Sequence, residues 1–480
     1  MRQEAVLGVD VGTSSTKLAL IGTDGRLLAA AEEPHPVTTP QHGWAETDPA
    51  RWTAAVDAAA ERINPAIEDV RLRGIGVVGQ MHSAVLCDAT GAPVGPAVLW
   101  PDRRAEFQVA RWRALPQPQR QALANPLVAG MTGPIVAWLA EHRPDLVERA
   151  EVVLHAKDVV RTALLDEPTS PAPVTDRSDA SATLLWDVAA DRWAAEICAA
   201  VEVPARLLPT VLASSSVVGR TGWVARVAPG GSTDVPVIVG AGDTPAALLA
   251  TAPAGLLVNF GTGVQVLAAR TAPDRGGADE STHLYADAGD GWYAMAALQN
   301  GGLALEWVGR VLGLTWDALL AAAAKGSAGS VTFLPFLSGE RGGVASPTSQ
   351  GGWLGLSVSS TRDDLARAAV EGVVFAIRRS VELLGYRDST GSPPVTLSGG
   401  GWRSDLLCRL AADALGRPVR RVDVRSSSAT GAAMLAARAA GVETRPAAPA
   451  GAPLQPSTSA EVDVRYRQWL DRLAAAEVGQ

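Results

Sequence analysis

Asp10-Val11-Gly12-Thr13-Ser14-Ser15-Thr16-Lys17 is the stretch on which the reading of this chain turns. It joins two apolar runs, Ala5 to Val11 and Thr16 to Ile21, and a third run, Arg26 to Ala31, follows the turn Thr23-Asp24-Gly25. Short apolar runs separated by glycine-bearing turns predict an antiparallel opening of strands. The first turn stands at a strand end, with a carboxylate before it, hydroxyls within it and a lysine after it. Exposed N–H groups, short hydroxyls and an ammonium suit phosphate oxygens, and glycine lets the backbone come close. Asp10 in that place can hold Mg2+ through water. The same residues also make a plain hairpin turn, so the rest of the chain must decide.

Beyond the opening, Asp48 and Pro49 read as an N-cap and first helical residue, with Trp52, Val56, Ala59 and Ile63 on one helical face. The apolar run Gly74 to Gly79 then reads as a strand. Antiparallel strands followed by strands alternating with helices predict an α/β fold with a mixed sheet. The second half repeats this plan: Leu256 to Phe260, the turn Gly261-Thr262-Gly263 and Val264 to Ala269 read as another hairpin, a hint of duplication. Val235 to Gly242 reads as one apolar strand, with the turn-rich Pro229 to Ser232 before it. The expected domains are therefore 1–236 and 237–480. A Pro-, Ala- and Ser-rich spacer from Arg445 to Ser459 precedes a last helix, 460–477, which can pack on either domain.

At 480 residues the chain exceeds what one hydrophobic core usually serves, and 47% apolar with 19% charged residues is an ordinary globular balance. The formal net charge is −8, with Lys and Arg scattered, which argues against nucleic acid as a partner. No secretory leader is visible and no run of about 18 apolar residues occurs, so a cytoplasmic protein with no membrane association is expected. Cys87, Cys198 and Cys408 are too far apart in sequence for a zinc site and read as reduced buried thiols. The six histidines show no metal-ligand spacing.

Two further motifs carry chemistry. Gly240-Ala241-Gly242-Asp243-Thr244-Pro245 opens a helical run and sets a carboxylate at a strand–helix junction. Asp243 there is either a helix cap or a group that orients an attacking hydroxyl and takes its proton; the two glycines beside it favour a site. Ser398-Gly399-Gly400-Gly401-Trp402-Arg403-Ser404-Asp405 follows the strand Val395 to Leu397 and leads into the helix Leu406 to Leu415, a place where a nucleotide can lie against backbone. By contrast, Gly74-Ile75-Gly76-Val77-Val78-Gly79 matches a dinucleotide fingerprint by letters only, because it reads as the strand itself and opens no helix.

Taken in order, these segments resemble the FGGY carbohydrate kinases, a branch of the actin-like ATPases, and among them most nearly the xylulokinases. The resemblance spans nearly the whole chain. It includes Asp10 to Lys17, Gly79-Gln80-Met81-His82, Pro96 to Arg104, Lys157-Asp158, Ser178-Asp179-Ala180, Gly242-Asp243, Gly261 to Gly263, Phe333 to Arg341, Gly351 to Glu371 and Gly399 to Ser404. It implies two actin-like (ribonuclease H-like) ATPase domains with a catalytic cleft between them, sugar held mainly by the first and MgATP mainly by the second, with domain closure aligning them. It implies ATP-dependent phosphorylation of a sugar hydroxyl, D-xylulose to D-xylulose 5-phosphate first among the acceptors and another ketose, polyol or aldonate next.

By the same resemblance Asp243 is the general base and Asp10 positions metal and phosphates. Gly12, Thr13, Ser14 and Lys17 of the first domain, with Gly261, Thr262 and Gly302 of the second, contact ATP phosphates; Gly400, Gly401 and Asp405 lie in the adenosine region. Met81, His82, Trp100, Asp102, Asp243 and Thr244 serve the sugar. Thr244 stands where xylulokinases carry an asparagine, Gly342-Gly343 replace Thr-Pro, Ile135 replaces a lysine and Pro101 breaks the pattern, which bears on the acceptor rather than on kinase chemistry. A homodimer is compatible with this reading, although the sequence does not name the oligomeric state. The rival readings are an actin-like chaperone or filament ATPase, a nicotinamide-dependent oxidoreductase built on Gly74 to Gly79, and a sugar sensor without catalysis. No peptide-binding domain follows, the fingerprint lacks its context, and both aspartates are intact.

Overall fold

A computed structural model of the chain describes residues 2–169, 172–253, 255–274, 278–327, 329–340, 342–386, 392–446, 448–457 and 461–478. Arg341 of the expected motif, and residues 458–460 at the expected junction of spacer and last helix, lie outside them. The chain divides into two compact units, one made of residues 1–252, 285–292 and 424–446 and the other of 253–284, 293–423 and 447–480.

The first unit is built on a mixed sheet. Its strands run in the order Leu27–Pro34, Ser15–Gly22, Gln3–Val11, Val70–Gly79, Val235–Ile238, Val217–Thr221 and Glu167–Pro168, and Ala241–Gly242 pairs with Val70–Gly79. The antiparallel opening is present, and Gln3–Val11 lies parallel to Val70–Gly79. Alternation along Gln3–Val11 explains the layers. Leu7, Val9 and Val11 join Trp52, Val56, Val159 and Val160 in one core, so helices Ala50–Arg62 and Ala156–Leu164 cover that face. Val6 joins Val78, Ala246, Ala429 and Ala432 in another, so helices Asp243–Thr251 and Ser427–Ala439 cover the opposite face.

The second of these faces admits helix Ser427–Ala439 at close range. A Cβ on Gly8 would lie 1.8 Å from Ala429 O, and one on Gly76 would lie 2.1 Å from Ala432 O. Of the fingerprint glycines, Gly76 therefore serves helix-on-sheet packing inside a strand, as does Gly74, whose Cβ would lie 3.3 Å from Ala436 O. A further apolar cluster around Trp112, Ile135, Val136 and Leu185 supports the segment that follows Val70–Gly79. Ile135, in place of a lysine, is fully buried there.

The second unit repeats the plan, with strand segments 293–298, Val264–Arg270, Leu256–Phe260, Val395–Ser398 and Val419–Arg421 in that order. Leu256–Phe260 pairs antiparallel with Val264–Arg270 and parallel with Val395–Ser398, the same hairpin-then-parallel arrangement as in the first unit. Helix Glu461–Val478 packs on this unit: Trp469 Nε1 donates to Phe333 O at 3.0 Å and the Tyr466 hydroxyl to Glu382 Oε2 at 2.7 Å. Among the described residues no helix is long and apolar enough to cross a membrane.

Three local expectations differ from the structure. The single strand expected over 235–242 is two, Val235–Ile238 and Ala241–Gly242, broken where Gly240 turns to φ +83°. The cap position of the first helix is Pro49, with the Asp48 carboxylate accepting from Ala50 N at 3.0 Å. The division expected at 236/237 falls at 252/253, since helix Asp243–Thr251 buries its apolar residues on the first sheet, and residues 424–446 return to that unit for the same reason.

Candidate active site

Asp10 and Asp243 come to the same end of the first sheet. Asp10 is paired with Lys17 on one side and with Val78 on the other, while Ala241 and Gly242 pair with Val78 and Gly79. The two carboxylates thus flank the end of Val70–Gly79, one strand to each side. At a strand spacing of about 4.8 Å their backbones stand on the order of 10 Å apart. Gly240 makes this possible: at φ +83° a Cβ would lie 1.7 Å from Val77 O, so a side chain there would push the 241–243 segment off the strand.

Asp10 is buried and Asp243 partly buried, and their charge is poorly compensated. Burial pushes the Asp10 pKa up to about 7, and the nearby Asp243 charge raises it further while Lys17 opposes. Burial raises Asp243 to about 6, against the N–H and hydroxyl of Thr244 and the Lys17 ammonium. Thr244 N donates to Asp243 Oδ1 at 2.6 Å and Thr244 Oγ1 at 3.2 Å. Asp243 is the first residue of its helix, after Gly242 at the cap position, and its Oδ1 satisfies one first-turn amide, so it meets the capping role in part. Asp10 Oδ1 is buried without a hydrogen-bond partner. A buried, unpartnered carboxylate oxygen near a lysine suits a hydrated cation carried in with polyphosphate.

Of the expected sugar residues, Met81 is packed next to Asp243. A Cβ on Gly242 would lie 2.8 Å from Met81 Cγ, so Met81 packs directly against the residue preceding Asp243. His82, at φ +68°, turns its Nδ1 to Ala182 O at 2.7 Å, and its ring lies 5.9 Å from that of buried Tyr285. The partly exposed Trp100 gives its indole N–H to Thr13 Oγ1 at 2.9 Å, which leaves the Thr13 hydroxyl proton free to donate elsewhere. Asp102 is placed differently: it is buried, and its oxygens accept from Ala45 N at 2.6 Å and from Arg104 at 2.8 and 2.9 Å, which makes it a brace for the segment bearing Trp100. In the turn itself, Gly12 N donates to Ser15 O at 3.0 Å, Ser14 is exposed, and Lys17 lies 3.8 Å from Glu32.

In the second unit the expected nucleotide residues gather at the ends of the parallel strands Leu256–Phe260 and Val395–Ser398. Gly302 N donates to Gly261 O at 3.1 Å and Leu303 N to Thr262 O at 2.9 Å, so the exposed turn is stitched to the start of helix Gly302–Leu312. Buried Glu340 accepts from Gln299 N at 2.7 Å and Asn300 Nδ2 at 3.0 Å just ahead of that helix. Gly401 backs onto the ring of Phe260, the residue before Gly261, and Gly400 is open to solvent. Asp405 is exposed, with its carboxylate 3.1 Å from Arg421. Gly342 and Gly343 take φ +69° and +74°, which proline cannot adopt, so this departure follows the local backbone.

Sequence reasoning quoted Lys157-Asp158 and Ser178-Asp179 but gave them no role. In the structure Lys157 Nζ is fully buried, 2.6 Å from Asp158 Oδ1, 3.3 Å from Asp176 Oδ1 and 3.2 Å from Asp179 Oδ2. His155, Asp158 and Asp179 stand close enough to ligate a metal ion. The ammonium of Lys157 and the guanidinium of Arg161, 2.7 Å from Asp158, already supply the cations, so this cluster is a salt-bridge network. No motif of fixed spacing announces it, since its members come from residues 155–161 and 176–179.

Comparison with known proteins agrees with this geometry. Residues 5–250 match the N-terminal domain of the FGGY family of carbohydrate kinases and residues 256–440 its C-terminal domain. The chain is 31% identical to a xylulose kinase of Escherichia coli over 453 residues, covering 92% of this chain and 90% of that one. It is 32% identical to a glycerol kinase of Methylibium petroleiphilum, covering 91% of each. A crystal structure of xylulose kinase from Rhodospirillum rubrum superposes with a TM-score of 0.85 at 28% identity, covering 98% of both chains. The mixed-sheet units are those of the actin-like ATPase fold seen in such kinases. With both halves matched and the likeness running through nearly all of its length, the chain belongs to the FGGY family of carbohydrate kinases.

Proposed function

We propose that the enzyme transfers the γ-phosphoryl group of ATP to a hydroxyl of D-xylulose, giving D-xylulose 5-phosphate and ADP in the cytoplasm. The observation that carries this reading is the partly buried Asp243, its pKa raised to about 6, with Met81 packed against the residue before it, at the end of the strand that Asp10 flanks from the other side. Such a carboxylate is ionised at neutral pH yet basic enough to take a proton as the bond to phosphorus forms. In the step, the sugar oxygen bonds to the γ-phosphorus, the bond from that phosphorus to the β,γ-bridging oxygen breaks, and the hydroxyl proton passes to Asp243.

The chain's own groups divide the remaining tasks. Asp10 Oδ1 would accept from water on the magnesium of the substrate MgATP, and Lys17 with the Gly12-Thr13-Ser14 turn would donate to the transferring phosphoryl oxygens. When bound, Mg2+ supplies neutralisation of the polyphosphate charge. Gly261, Thr262 and Gly302 would hold phosphates on the second unit, and Gly400 and Gly401 the adenosine. Met81, His82 and Trp100 would orient the sugar, with Asp102 acting through Trp100.

The xylulose kinases among the relatives support this acceptor. Thr244, whose hydroxyl turns onto Asp243 in place of reaching outward as a longer amide would, favours a second reading in which the acceptor is another ketose, a polyol or an aldonate. ADP release measured against a panel of pentuloses, hexuloses, glycerol and gluconate tests both. The expected result is the highest kcat/KM for D-xylulose. A higher value for another acceptor establishes the second reading, and ATP turnover indifferent to every sugar overturns both.

A further inference from the structure

We propose that the buried cluster centred on Lys157 is a positioning frame for catalysis, holding the backbone before Asp243 through Ser178 and the backbone of His82 through Thr132. The inference rests on the roles given above to Asp243 and His82.

The first branch runs from Lys157 to the Gly242 amide. Asp176, 3.3 Å from Lys157 Nζ, accepts the Ser178 hydroxyl proton at 2.6 Å, and also Ser178 N at 3.0 Å and Ser214 Oγ at 2.8 Å. A serine hydroxyl has one proton. With that proton committed to Asp176, Ser178 Oγ presents a lone pair, and Gly242 N donates to it at 2.9 Å. The carboxylate thus orients the hydroxyl, and the hydroxyl fixes the peptide unit from which Asp243 begins its helix. Every side chain in this branch is buried.

The second branch runs from the same charges to His82. His155 Nδ1 lies 3.6 Å from Asp158 Oδ2 and its Nε2 3.3 Å from Thr132 Oγ1, and Thr132 Oγ1 donates to His82 O at 3.1 Å. Ala156 N, next to the lysine, donates to Ser83 Oγ at 3.2 Å. Arg161 closes the frame by donating to Asp158 Oδ1, Val239 O and Val174 O at 2.7, 2.7 and 2.6 Å. Val239 directly precedes Gly240, so the approach to the base is held from this side as well.

Fold stability alone does not account for a frame placed this way. An apolar cluster of the same volume would stabilise the unit at least as well, because burying several charges costs desolvation that their mutual attraction barely offsets. What charged groups add is directional hydrogen bonding, and here it ends on the backbone of the two segments that carry the proposed base and a proposed sugar contact.

Ser178→Ala removes the acceptor of the Gly242 amide without unpairing an ion. It is expected to lower kcat by about 10- to 100-fold with KM for MgATP unchanged, since displacement by a fraction of an ångström to an ångström is costly in a positioned site. Ser178→Thr, which keeps the hydroxyl, is expected to recover most of the loss. Thr132→Val is expected to raise KM for the sugar while kcat stays near wild type, a split that general loosening of the unit would not produce. In an Asp243→Asn background, adding Ser178→Ala is expected to cost nothing further, because the group being positioned is gone. Thermal unfolding of each variant accompanies the kinetics. A wild-type kcat for Ser178→Ala, a loss that multiplies with that of Asp243→Asn, or a loss that follows the unfolding midpoint and is not restored by threonine would each overturn the proposal. If Asp243→Asn itself keeps near-normal turnover, the assignment of the base fails first; if that variant is inactive while Ser178→Ala is normal, only the frame fails.

Discussion

Two groups of aspartates in the first unit behave in opposite ways. Asp10 and Asp243 have no strong cationic partner, and burial raises both, to about 7 and about 6. Asp158 is fully buried, yet Lys157 and Arg161 override the desolvation and hold its pKa well below the ordinary carboxylate value. Asp179 departs from the contrast: at about 6 it matches Asp243 although Lys157 stands 3.2 Å away, because burial outweighs the attraction of His155 and Lys157. Burial alone therefore does not decide what a carboxylate does; the balance between desolvation and the number of cations facing it does. The paired group becomes scaffold, and the unpaired one remains basic enough to exchange a proton or accept a metal's water.

That contrast can be broken from either side. The largest expected effect is on the paired side: Lys157→Met leaves carboxylates buried beside fewer cations and is expected to destabilise the protein by about 3–5 kcal/mol, read from denaturant unfolding. An unchanged midpoint would mean that the cluster is not a charge-compensated frame. On the unpaired side, Asp243→Asn is expected to lower kcat by about 10²- to 10⁴-fold with no loss of stability, measured by ADP release and thermal unfolding on the same preparation.

Asp10→Asn sharpens the comparison, because it is expected to lower activity and raise stability together. The folded pKa of about 7 exceeds the ordinary 3.8, so the native state binds more protons than the unfolded chain between those values. Stability from this group is therefore lost as pH rises through that window, and above pH 7 the ionised carboxylate is a full liability. Removing it is expected to stabilise the ligand-free protein by about 1–3 kcal/mol at pH 8 and by much less at pH 4. Equal effects at both pH values would refute the assignment. The smallest expected effect is the acid limb of the rate: with Asp243 at about 6 in the ligand-free protein, kcat/KM for the sugar should fall about tenfold per pH unit below that point. A flat profile to pH 5 would remove Asp243 from proton transfer.

Much of the site was legible in the residues. The hairpin bearing Asp10, the carboxylate at 243 and the glycine turns at 261–263 and 399–401 all announce themselves by local chemistry, because a turn's backbone needs are met within a few residues. The expected strand to Gly242 was broken in the structure by one glycine, since alternation shows apolar character and not where φ changes sign. Asp102 illustrates another limit. Its carboxylate could face a sugar or an arginine as far as the sequence goes, and only the fold brought Arg104 and the Ala45 amide to it.

By itself the sequence determined the alternation of strands and helices, the duplicated hairpin plan, the two catalytic aspartate candidates and the kinase resemblance, all of which depend on residues near one another in the chain. The tertiary structure alone decided that helix Ser427–Ala439 belongs to the first unit, that Gly8 and Gly76 leave room for it, and that residues 155–161 and 176–179 meet and reach the Gly242 amide. The physical reason is range: backbone conformation and amphipathic pattern are written locally, whereas desolvation and charge pairing depend on which distant segments fill the space around a side chain.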